Sequence, residues 1–132
     1  GRDLIFMLAP TSTDERIRQT AERASGFIYC VALTGVTGSR SEMPELRPYL
    51  SRIRERTDVP LAIGFGISTP EHVRQVGAIA DGAAVGSALI NALEAVPPAE
   101  APAAARAFIE SLRTGIERRS PAPALSAATT EQ

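Results

Sequence analysis

The sequence predicts an α/β fold of about four strand-helix units. Three observations carry that expectation: four short apolar runs, a helical segment after each, and glycine-bearing turns between them. Apolar runs without polar alternation suit strands buried on both faces, and regular strand-helix alternation gives a parallel sheet with helical crossovers. With 132 residues, 44% hydrophobic and 22% charged, the chain has room for one domain of modest size.

The first run, Leu4-Ile5-Phe6-Met7-Leu8, closes on Ala9-Pro10. A helix comes next, because Ser12-Thr13-Asp14-Glu15 supplies cap candidates and first-turn acids, and Ile17, Ala21 and Ala24 recur at helical spacing before Gly26. Phe27-Ile28-Tyr29-Cys30-Val31 is the second strand. It leads into the glycine-punctuated loop 32–40. Leu46, Leu50 and Ile53 then form an apolar stripe over 43–56, and Pro48, awkward inside a helix, places the helix start nearer Leu46.

Leu61-Ala62-Ile63 is the third strand and runs into Gly64-Phe65-Gly66-Ile67. Ser68-Thr69-Pro70-Glu71 is a helix start, with a hydroxyl cap, proline in the first turn and an acid behind it. That helix reaches about Gly77. Ala83-Ala84-Val85 is the fourth strand, and Gly86-Ser87 opens a short helix to about Leu93. Beyond the prolines at 97, 98 and 102, residues 103–118 place Phe108, Ile109, Leu112 and Ile116 on one helical face. Residues 120–132 lack apolar periodicity and read as a disordered tail.

Composition excludes several functions. A net charge of −1, with 14 basic residues that are all arginine, leaves no basic surplus for nucleic acid. No apolar stretch is long enough for a membrane span, and the amino-terminal residues lack a signal-peptide pattern, so a cytoplasmic protein is expected. Cys30 is the single cysteine and cannot form an internal disulfide. It should point toward the helices, opposite to its neighbour Tyr29. His72 reads as an exposed surface histidine without clustered metal ligands, so no metal site is expected. Arg52, Arg54 and Arg56 read as a solvated helix surface.

Chemistry should lie at the carboxyl ends of the strands. Three of those loops carry glycine: Gly35 and Gly38 after the second strand, Gly64 and Gly66 after the third, Gly86-Ser87 after the fourth. Glycine lets the backbone approach an anion, and a helix start adds N–H donors with a favourable dipole. The combination fits a phosphate, although tight strand-to-helix turns alone would also use such glycines. The spacing does not fit a dinucleotide fingerprint.

These residues carry a resemblance. Leu8-Ala9-Pro10-Thr11-Ser12, Gly26-Phe27-Ile28-Tyr29, Thr34-Gly35-Val36-Thr37-Gly38, Gly64-Phe65-Gly66-Ile67-Ser68 and Gly86-Ser87-Ala88 resemble, in order and spacing, the tryptophan synthase alpha chain family. The likeness implies the carboxyl-terminal half of a (β/α)8 TIM barrel, strands five to eight in residues 1–119. It implies a lyase of tryptophan biosynthesis that cleaves indole-3-glycerol phosphate to indole and glyceraldehyde 3-phosphate. The complete subunit works in an alpha2beta2 heterotetramer with a beta chain that holds the PLP, and the alpha chain has no cofactor of its own.

By matching position, the resemblance gives Gly38, Gly66, Gly86 and Ser87 to the substrate phosphate. It gives Tyr29, Gly64 and Phe65 to the substrate pocket, and makes Thr37 a supporting residue on a mobile loop. The family's catalytic Glu and Asp would lie ahead of residue 1. No acid in this sequence stands at a matching position, so the chain alone is expected to be inactive. A free-standing half-barrel that binds phosphorylated ligands, or another phosphate-binding barrel enzyme, are the alternatives.

Overall fold

The computed structural model describes residues 1–32, 43–64 and 66–116. Four strands, β1 (Phe6–Leu8), β2 (Ile28–Val31), β3 (Leu61–Gly64) and β4 (Gly82–Ala84), form one sheet in the order β1-β2-β3-β4. Every neighbouring pair is parallel, with Tyr29 opposite Met7 and Ala62, and Gly64 opposite Val31 and Ala84. The helices are α1 (Asp14–Arg23), α2 (Met43–Arg54), α3 (Pro70–Gly77), α4 (Ser87–Glu94) and, after a 3₁₀ turn at Pro98–Glu100, α5 (Ala101–Arg113).

The strand order distinguishes between parallel folds. A doubly wound sheet reverses direction at a switch point, whereas here each strand lies beside its predecessor. Helices α1, α2 and α3 also share one face. Ile17 of α1, Leu46, Tyr49, Leu50 and Ile53 of α2 and Val76 of α3 join Leu8, Ile28, Cys30, Leu61 and Ile63 in one buried cluster. A singly wound parallel sheet with helices on one side is a barrel segment, and its bare face is the barrel's interior.

On that interior face the apolar side chains are open. Met7 is 59% exposed, and Ile5 and Phe27, which precede β1 and β2, are each 38% exposed. Burial therefore alternates along the strands, as the pleat requires when one face alone is covered.

Side-chain caps account for two of the helix starts. Thr13 accepts the Arg16 N–H at 3.2 Å to begin α1, and Thr69 accepts the His72 N–H at 3.2 Å to begin α3. Two boundaries differ from expectation. Helix α2 begins at Met43, before Leu46, and carries Pro48 inside it. The lost backbone hydrogen bond is tolerated because Leu46, Tyr49, Leu50 and Ile53 bury one face of the helix.

Helix α5 ends at Arg113, and of its expected face only Leu112 is buried, Ile109 and Ile116 being exposed. A cleft of about 470 Å³ separates it from α3 and β4, lined by Val73, Val76, Ala83, Ile109 and Leu112 among others. What anchors α5 is its end: a Cβ on Gly115 would overlap the Pro70 carbonyl, so the backbone there lies directly against the start of α3. The loop 33–42 and the tail expected at 120–132 lie outside the described residues.

Candidate functional site at the carboxyl ends of the strands

Because all four strands run the same way, the segments leaving β1, β2, β3 and β4 share one rim. Among the described residues this rim carries Ala9–Ser12, Ala32, Gly66–Thr69 and Val85–Ser87. Thr37, Gly38 and Phe65 belong to the same connections by sequence but lie outside the described residues.

Tyr29 stands on the interior face of β2 and leans toward the rim. Its ring and hydroxyl occupy the space a Cβ would need on Gly64, one strand over. Gly64 is buried for that reason. A glycine at the end of β3 is thus what seats Tyr29 across the sheet, and the structure brings these two expected pocket residues into contact.

Gly66 stands just beyond the strand. Its φ is +69°, a left-handed conformation that residues other than glycine rarely adopt, and among the described residues, its chain neighbours aside, no atom lies within 4 Å of where a Cβ would be. The backbone there is turned. The next residue, Ile67, is 3% exposed and anchors the turn in the core.

The starts of α3 and α4 differ in a way that bears on anions. Helix α3 satisfies its own first turn with the Thr69 cap, Pro70 and Glu71. Helix α4 has Gly86 as its cap residue, makes no side-chain capping bond and has no acid in its first turn. Its leading N–H groups are left to an outside acceptor, with the helix dipole favouring negative charge. Gly86 and Ser87 are both exposed. Since β3 and β4 are neighbours, the Gly66 turn and the α4 start stand side by side on the rim.

Behind the sheet lies a polar pair that takes no part in this rim. Cys30 points into the helix layer, as expected from its alternation with Tyr29, and is 1% exposed. Burial pushes its thiol up to about 11, so it is protonated and unreactive at neutral pH. Beside it the Tyr49 hydroxyl, on a side chain 4% exposed, finds no nitrogen or oxygen partner among the described residues, and burial raises its ionisation as well.

Among the described residues no group of His, Cys, Asp and Glu could hold a metal ion. Glu15 is held down at about 2 by the Arg18 guanidinium and the Gln19 amide, the opposite of what a general acid needs. Three residues read differently from expectation. Arg52 does not simply face water: it donates to Asp14 at 2.7 Å and to the Ser12 carbonyl at 2.9 Å, tying α2 to the rim loop after β1. Arg54 pairs with Asp81 and donates to the Val59 carbonyl at 3.2 Å, at the opposite rim. His72 is half-buried, and its Nδ1 accepts the Ser68 N–H. No sequence signal marks the first two, because the partners are 38 and 27 residues apart.

The chain is similar to known proteins along most of its length. A family model described as tryptophan synthase alpha chain matches residues 1–117. The tryptophan synthase alpha chain of Roseiflexus sp. (strain RS-1) is 58% identical over 114 residues, which is 86% of this chain and 44% of that one. That of Chloroflexus aggregans is 49% identical over 117 residues, again 44% of its length. Among solved structures, tryptophan synthase subunit alpha from Legionella pneumophila superposes with a TM-score of 0.71 at 36% identity, covering 86% of this chain and 42% of that one. The chain thus spans less than half the length of the curated relatives it matches.

Proposed function

Because the chain belongs to the tryptophan synthase alpha chain family, we propose that it is the carboxyl-terminal half of a barrel that cleaves indole-3-glycerol phosphate to indole and glyceraldehyde 3-phosphate. The observation that carries the reading is the rim formed by Gly66 and Gly86-Ser87, where a positive-φ turn and an uncapped helix start offer backbone donors side by side. These residues, with Gly38, hold the substrate phosphate. Backbone donors suit this role because they carry no side-chain entropy and are aimed before the ligand arrives.

Tyr29, Gly64 and Phe65 form the wall beside the indole. The contact with Gly64 seats Tyr29 across the sheet. Thr37 closes over the bound substrate and excludes water, a gating role. The cleavage needs a carboxylic acid to protonate the indole C3 and a carboxylate to take a proton as the carbon–carbon bond breaks. The family's matching acids are placed on earlier strands, so these 132 residues bind and orient the substrate without the proton-transfer groups, and are inactive alone. No cofactor is assigned to this chain. In the complete enzyme the partner is a PLP-dependent beta chain, and a cytoplasmic location accords with the family; among the described residues no helix is long and apolar enough to cross a membrane.

A chimera decides the matter. Residues 1–117 are joined to the amino-terminal part of the Roseiflexus alpha chain, and indole release from indole-3-glycerol phosphate is measured. The expected result is activity in the chimera and none in the 132-residue chain. A folded chimera without activity would point to a half-barrel that only binds phosphorylated ligands.

A further inference from the structure

We propose that His72 is a positioning residue for the anion-holding rim, its neutral imidazole fixing the turn at Gly66–Ser68. The proposal rests on the reading of Gly66 as a phosphate contact. Gly66 has no side chain to hold its own orientation, and among the described residues, its chain neighbours aside, nothing lies within 4 Å of its Cβ position. The residues after it help to set its direction. Ile67 supplies one anchor in the core, and the second is the Ser68 N–H, which His72 Nδ1 accepts at 3.2 Å.

The arrangement is a variant of a capping box. Thr69 is the cap residue, Pro70, Glu71 and His72 come next, and the His72 N–H bonds the Thr69 hydroxyl oxygen at 3.2 Å. In the usual box a Glu or Gln at this third helical position reaches back to a backbone N–H at the cap. Here an imidazole reaches back one residue further. A ring nitrogen that accepts a hydrogen bond carries no proton, so the neutral ring is the Nε2–H tautomer.

Loss of the acceptor at position 72 would leave the turn its Ile67 anchor and take away the hydrogen bond at Ser68. The charged side chains on the elements packed with α3 are Glu71 and Arg74 on α3 itself, which pair, and Arg106, Glu110 and Arg113 on α5. Asp81, at the foot of β4, is engaged by Arg54.

The chain contains a single histidine, so its imidazole resonances are unambiguous. In the 132-residue chain, nitrogen NMR should show the Nε2–H tautomer of the neutral ring, and Ser68 amide protection should be about three- to tenfold lower in His72→Leu than in the native chain. His72→Gln should keep that protection. Sulfate probes the rim. His72→Leu should bind sulfate about three- to tenfold more weakly than the native chain, with His72→Gln close to native. An Nδ1–H tautomer, native Ser68 protection in a folded His72→Leu, or native sulfate affinity in that variant would each overturn the proposal. If the native chain binds no sulfate while the tautomer and Ser68 protection behave as expected, the phosphate reading of the rim fails and His72 still sets the turn.

Discussion

Gly64 and Tyr29 illustrate how an absent side chain can set a present one. The hydroxyl and ring of Tyr29 fill the volume of the missing Cβ, so Gly64→Ala must drive Tyr29 off the sheet or shift β3. Overpacking of this kind costs about 1–3 kcal/mol. Urea unfolding should register that loss, and the double change Gly64→Ala with Tyr29→Ala should cost less than the sum of the two, because the clash disappears with the ring. Strict additivity would show that the two side-chain positions do not share space. Gly66 constrains the chain differently: its positive φ disfavours other residues, so a substitution there strains the backbone.

Elements are joined at two rims by arginines of one helix. Arg52 links α2 to the start of α1 beside the candidate site, and Arg54 links α2 to Asp81 at the amino ends of β3 and β4. Their contributions should differ from that of Asp81. The Arg54–Asp81 pair is partly exposed, so removing the arginine, as in Arg54→Ala, should cost about 0–1 kcal/mol. Asp81 also accepts the N–H of Leu61 at 2.8 Å, and Leu61 is fully buried. Asp81→Ala should therefore cost about 1–3 kcal/mol, the penalty of a buried donor left without its acceptor. Thermal or denaturant unfolding of both variants tests the order, and equal losses would mean the backbone contact is immaterial.

At the scale of the whole molecule the two faces of the sheet are unequal. The helix side is a close-packed core, whereas Met7, Ile5 and Phe27 leave the interior face apolar and open, between outer strands β1 and β4. Parallel edges and apolar patches promote association. A net charge of −1 offers little repulsion against it. The 132-residue chain in isolation should therefore elute as oligomers in size exclusion with light scattering, and Met7→Lys should shift it toward monomer. A native monomer would show that the open face is tolerated in water.

Much of this architecture comes from local chemistry that the sequence displays. Apolar runs mark the strands, hydroxyl-proline-acid starts mark the helices, and Gly64, Gly66 and Gly86-Ser87 mark the rim. Family likeness adds the expectation that Tyr29 serves the same site. Pairing across distant residues was not legible in this way. The Arg52 and Arg54 bridges, the half-burial of His72 and its hold on Ser68, the seating of Tyr29 on Gly64 and the Pro48-bearing turn inside α2 depend on which surfaces come together. Periodicity and capping act over a few residues and can be read along the chain, whereas these contacts are selected by packing in three dimensions. Only the folded sheet, with helices on one face and the other bare, decides them.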